Sequence, residues 1–179
     1  MKIKTLAFTL GFAAVLCTPW QQSFAADEET AAAAKPTAAE KMFMKKAADG
    51  GMTEVELGQL AAEKGGSDAV KDFGSQMVKD HGKINDDLKE VAGKMNVTLP
   101  AKVSAKHHDT IEKMSGMSGA AFDKAYVPAM VKDHEMDIAE FEKADKMVKN
   151  PDLKKFIQDS IPMMKDHLEK IKKFDQAKG

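Results

Sequence analysis

The pentapeptide M-[VM]-K-D-H occurs three times, at Met77 to His81, Met130 to His134 and Met163 to His167. The apolar residues around each copy dictate its conformation. Around the first, Val70, Phe73, Met77, Ile84, Leu88, Val91 and Met95 step by three or four, apart from one step of seven that His81 divides. Around the second, Met130, His134, Ile138 and Phe141 step by four, four and three; around the third, Met164, His167, Ile171 and Phe174 step by three, four and three. Residues at these intervals share one face of an α-helix, whereas a strand would scatter them over both of its faces. Each copy therefore predicts a helix whose inward stripe is apolar except for one imidazole.

A further helix precedes these three. Thr37 followed by Glu40 is a capping-box start, and Gly65-Gly66 stops the segment. Its stripe of Phe43, Ala47, Gly50, Glu54, Leu57 and Ala61 carries one carboxylate, so Glu54 points inward too. Ser67 caps the next helix, which ends near Asn96 before Pro100. A connector over about 97 to 118 contains a short helix around Ser104 to Met114. Ser118 opens a long helix to about Val148, and Asn150-Pro151 starts the last. Pro128 and Pro162 fall inside these two helices and predict a kink or a tightened turn in each. Tight turns make two antiparallel hairpins, and the connector is long enough to cross over. The expected fold is all-α, a ferritin-like four-helix bundle with a short helical crossover connector; simple up-down-up-down order is the alternative.

The first 25 residues read as an address and not as part of the bundle. Lys2 and Lys4 precede an apolar run from Leu6 to Leu16, and Ser23-Phe24-Ala25 is a small-x-small cleavage pattern. The expected organisation is a signal peptide at 1–25, a flexible alanine-rich leader at 26–36 and the bundle domain at 37–179. Cleavage after Ala25 removes Cys17, so the mature chain relies on its core and not on disulfides. The expected location is periplasmic or otherwise exported, with no stable membrane insertion after cleavage. All 27 basic residues are Lys, and the whole chain has a net charge of -1, which speaks against a nucleic-acid partner. A protein partner is not legible.

Ligands on different helices must also share one level along the bundle. Counted from the first turn, at residue 66, Glu54 and His81 are mismatched by about 4 to 5 Å at 1.5 Å per residue, and counted from residue 150, His134 and His167 are nearly level. If the hairpins align, Glu54, His81, His134 and His167 converge as candidate ligands of one divalent transition metal, zinc, copper or iron. The alternative is a polar network in which the imidazoles bond to Glu54 or Asp and fix helix register without a metal. A metal would hold the imidazoles neutral in mild acid, whereas imidazolium paired with carboxylate would have a raised pKa.

The Asp before each His lies about 100° around the helix, either holding an imidazole of a neighbouring helix or sitting in solvent beside lysine. The Met four residues before each His is a thioether ligand in one reading and core filler in the other. His107-His108-Asp109 in the connector reads as solvent-exposed. No nucleophile constellation and no glycine-rich phosphate loop is present, so neither catalytic nor organic-cofactor residues are expected.

Several segments resemble the bacterial domain-of-unknown-function family 4142: GGMTEVELGQLA at 50–61, MVKDHGKINDDLKE at 77–90, VTLP at 97–100, SGAAFDKAY at 118–126 and IPMMKDH at 161–167. The resemblance implies a signal peptide and a four-helix fold with inward polar residues at Glu54, His81, His134 and His167. Val78, Val131 and Met164 stand where di-iron members of the wider ferritin-like group place Glu three residues before His. The resemblance therefore does not imply ferroxidase chemistry. The functional expectation is metal handling or envelope stress protection by a metal-binding core. The alternative is a non-enzymatic stress or interaction protein with a structural polar core. An enzyme with an open metal position is a third possibility.

Overall fold

The computed structural model describes residues 35–176. The expected signal peptide, Cys17 and nearly all of the leader lie outside the described residues. The elements are α1 (Ala38–Lys64), α2 (Asp68–Lys94), α3 (Ala105–Ser115), α4 (Gly119–Met147) and α5 (Pro151–Gln176). Thr37 and Glu40 form the reciprocal capping box, with the Glu40 amide donating to Thr37 Oγ1 at 3.1 Å and the Thr37 amide to Glu40 Oε2 at 2.8 Å. After α2, Asn96 takes a left-handed φ of 53°, which asparagine tolerates better than most residues. The Val97 amide then closes on the Ala92 carbonyl at 2.8 Å. Pro128 and Pro162 lie within α4 and α5, and neither ends its helix.

The connector crosses over. α1 packs beside α2 and α4, and α5 packs beside the same two helices, so α2 and α4 stand diagonally. A parallel bridge between Gly65 and Gly119 sets the start of α4 beside the end of α1. The amides of Lys149 and Asn150 donate to Glu40 Oε1 at 3.2 and 3.3 Å, which sets the end of α4 beside the start of α1. The long helices thus run up, down, down, up. The connector climbs the length of the bundle, with α3 packed on α1 and α4. This is the ferritin-like order, and it excludes up-down-up-down.

Two buried carboxylates hold the hairpins level. Glu40 clamps one end as described. At the other, Asp123 accepts from the Gly66 amide at 2.8 Å and from Ser67 Oγ at 3.1 Å. Hydrogen bonds to a charged acceptor are roughly twice as strong as neutral ones, and these serve turn amides that the helices leave unpaired.

Within α1 the buried face is broader than its stripe predicts. Met44, Ala48 and Gly51 are buried while Ala47 and Gly50 are only half-buried, because α1 has neighbours on three sides in α2, α3 and α4. Its contact with α2 is close: a Cβ on Gly74 would lie 2.6 Å from both the Ala62 nitrogen and the Gly58 oxygen.

The apolar core is divided in two. One cluster includes Phe43, Met44, Leu88, Val91, Ile138, Phe141, Leu153 and Ile157. The other includes Leu57, Phe73, Met77, Phe122, Tyr126, Met130 and Ile171. On every long helix the polar residue falls between the two clusters, at Glu54, His81, His134 and His167.

Candidate metal centre

The four predicted site residues come together at this dividing layer, one from each long helix, with exposures of 2% for Glu54, 1% for His81, and 0% for His134 and His167. His81 Nε2 lies 3.2 Å from His167 Nδ1, and His134 Nε2 lies 3.4 Å from the same atom. Each imidazole is held from behind by its other nitrogen. His81 Nδ1 is 2.8 Å from Glu54 Oε2, His134 Nδ1 is 3.0 Å from the Met130 carbonyl, and His167 Nε2 is 3.0 Å from Asp80 Oδ2.

These contacts assign the protons. A backbone carbonyl only accepts, so His134 Nδ1 donates and its Nε2 presents a lone pair. Asp80 is half-buried, and although burial alone would raise its pKa, hydrogen bonds from His167 and Gln76 hold it below the usual carboxylate range. Asp80 is therefore ionised, His167 Nε2 donates to it, and His167 Nδ1 also presents a lone pair. Two acceptors face each other across 3.4 Å with no proton between them. His81 Nε2 becomes a third inward lone pair when Glu54 is ionised and accepts from its Nδ1.

Burial sets the charge of the layer. It lowers the pKa of His81 to about 4 and lowers those of His134 and His167. It raises Glu54 to about 8, opposed by the neighbouring His134 ring and reinforced by Asp133. The raised imidazole pKa expected of a purely ionic network does not arise, because burial outweighs the nearby carboxylates.

Glu54 has a position of its own in the ligand set. The three imidazoles offer nitrogens lying within 4.8 Å of one another, whereas Glu54 groups in the same way with Asp133 and Asp137. Its Oε2 braces His81, and its Oε1 stands 3.7 Å from His134 Nε2 with no hydrogen-bond partner.

The Asp of each repeat meets a different fate. Asp80 holds His167 of a neighbouring helix, Asp133 lies near Glu54, and Asp166 is exposed and paired with Lys170 at 2.7 Å. Asp137, one turn beyond Asp133, was not legible as a site residue; its spacing from Asp133 was the available signal. Met77 and Met130 are buried in an apolar cluster. His107 departs from the solvent-exposed reading: it is half-buried, and its Nδ1 lies 3.0 Å from Asp49 Oδ2. The neighbouring His108 and Asp109 are exposed and gather with Glu112 on the surface of α3.

A family model described as "Domain of unknown function (DUF4142)" matches residues 25–174. No curated protein matches the chain. Among solved structures, a crystal structure of a DUF305 fragment from Deinococcus radiodurans is similar, with a TM-score of 0.67 and 10% identity. The match covers 77% of this chain and 95% of that one, a likeness of fold alone.

Proposed function

The chain belongs to the DUF4142 family, and from that premise we propose that it is an exported bundle whose core binds one divalent transition metal, for metal handling or envelope stress protection. The ligands are His81 Nε2, His134 Nε2 and His167 Nδ1, with Glu54 bordering the fourth position. The observation that carries this reading is the pair of lone pairs facing each other across 3.4 Å at His134 and His167. Buried acceptors without a donor between them are costly, and a cation is the group that satisfies both at once.

The spacing suits such an ion. Tetrahedral ligands about 2.0 to 2.1 Å from zinc lie about 3.3 to 3.4 Å apart, close to the 3.2 and 3.4 Å found here. The backing by Glu54, the Met130 carbonyl and Asp80 follows the usual pattern for metal-bound imidazoles, which donate their other N–H to a carboxylate or carbonyl. Three imidazoles suit zinc, copper or iron, and Met77 and Met130 serve the core. Export rests on the charged start, apolar run and small-residue exit of residues 1–25. Among the described residues no helix is long and apolar enough to cross a membrane.

One observation favours a second reading, a metal-free structural layer in an interaction or stress protein. Glu54, His81, His167 and Asp80 form a continuous chain with contacts of 2.8, 3.2 and 3.0 Å. A single proton on Glu54 satisfies that chain, yet His134 Nε2 still faces a lone pair. Elemental analysis of the purified protein, followed by titration with Zn2+, Cu2+ and Fe2+, separates the two. One equivalent of metal is expected, and no uptake of any of the three would end the metal reading.

A further inference from the structure

Glu54 also faces a second set of donors, one that the three-histidine site does not use. Asp133 and Asp137 lie one turn apart on α4, both half-buried, and offer carboxylate oxygens that lie with one of Glu54 within 4.8 Å of one another. Asp137 has acidic neighbours in Glu54, Asp133 and Glu140.

An acidic pair on a helix is not by itself a site. The independent observation is Glu54, which comes from a different helix, is 2% exposed, and has a buried Oε1 with no donor. It cannot swing out to water, because Oε2 is held by His81 at 2.8 Å. A buried carboxylate oxygen needs a proton or a cation, and Glu54 lies in one group with two more carboxylates.

We infer that Glu54, Asp133 and Asp137 form a second cation site, made of oxygen donors and lying beside the three-histidine site with Glu54 shared between them. Three carboxylates and no nitrogen or sulfur select a hard divalent ion, with Mn2+ as the probe and Mg2+ or Ca2+ as related occupants. Asp133 and Asp137 are both partly exposed to solvent. The two sites thus differ in chemistry, nitrogen donors for a borderline ion and oxygen donors for a hard one. The inference builds on the proposed histidine site only in treating Glu54 as shared, and it is testable without it.

The test titrates the full chain with Mn2+, before and after one equivalent of Zn2+, and follows free Mn2+ by electron paramagnetic resonance. Wild type should bind one equivalent of Mn2+ in addition to its Zn2+. Asp133→Asn and Asp137→Asn should each weaken Mn2+ binding at least tenfold and leave Zn2+ uptake unchanged, with circular dichroism confirming helix content. Asp166→Asn, the exposed counterpart in the third repeat, should bind Mn2+ like wild type. Mn2+ binding without Zn2+ uptake would uphold this site and overturn the histidine one. No Mn2+ bound by wild type, or full binding by both Asp133 and Asp137 variants, would overturn the carboxylate site.

Discussion

His134 Nε2 faces His167 Nδ1 across 3.4 Å, and each is the ring nitrogen left without a proton by the contact its partner nitrogen makes. Replacing one of them removes the conflict along with the donor. His134→Gln should abolish stoichiometric Zn2+ binding while the metal-free protein stays folded, because the apolar clusters on either side remain. Equilibrium dialysis and thermal unfolding check this, and unchanged Zn2+ uptake by the variant would count against the ligand assignment.

The repeats contain their own control for the residues behind the imidazoles. Asp80 holds His167 Nε2 at 3.0 Å, whereas Asp166 occupies the same place in its repeat and pairs with Lys170 on the surface. Asp80→Asn should weaken Zn2+ binding roughly 10- to 100-fold, the usual range for such supporting partners. Asp166→Asn should change it by less than about twofold, since an exposed pair contributes little. Equal effects in the two variants would show that Asp80 does not position the histidine.

Much of this layer is legible in the sequence because it interrupts a periodic pattern. His81 fills a gap of seven in the stripe of α2, and Glu54 is the one carboxylate on the stripe of α1. Their levels follow from counting residues away from a turn. Alignment of one hairpin with the other does not, since it depends on Glu40 and Asp123 reaching turns far away in sequence. Direction of the second hairpin was open for the same reason: a connector length permits a crossover without requiring one. Asp137 is not legible because it sits on the flank of the α4 stripe, where a carboxylate usually meets solvent, and the approach of α1 near Gly50 half-buries it.

Without a metal, the protein should lose stability towards alkali. Burial holds Glu54 up at about 8 and Asp137 at about 9, against ordinary values of 4.5 and 3.8. The folded state keeps protons that the unfolded chain has released, so this contribution is full below the ordinary values and is lost as pH rises through 8 to 9. His81, lowered from 6.5 to about 4, works on the other side, where folding weakens as pH falls from 6.5 towards 4. Chelated protein should therefore lose on the order of a few kcal/mol between about pH 6.5 and 9, where the imidazole no longer offsets the carboxylates. Bound cations compensate the carboxylates and should flatten the alkaline side. Melting temperatures from pH 4 to 9.5, with and without chelator, test this; stability rising from pH 6.5 to 9 in the chelated protein would contradict it.

Close approach of α1 and α2 should be sensitive to a single methyl group. Gly74→Ala places a Cβ 2.6 Å from two backbone atoms of α1, which cannot move independently, and should cost about 1 to 3 kcal/mol. It should also weaken metal binding by separating Glu54 from His81. Gly82→Ala, where nothing lies within 4 Å of the added carbon, should instead stabilise α2 by about 0.5 to 1 kcal/mol. Urea unfolding of the two variants measures both, and destabilisation by Gly82→Ala would contradict the packing described.

X-ray absorption at the metal edge of protein loaded with one equivalent of Zn2+ tests the central claim most directly, because it reads the ligands themselves. The account predicts a first shell at about 2.0 to 2.1 Å with the outer-shell scattering of three imidazoles, reduced to two in any ion that His134→Gln still retains. A first shell of oxygen alone, a sulfur contribution at about 2.3 Å, or a chain that retains no Zn2+ to measure would contradict it.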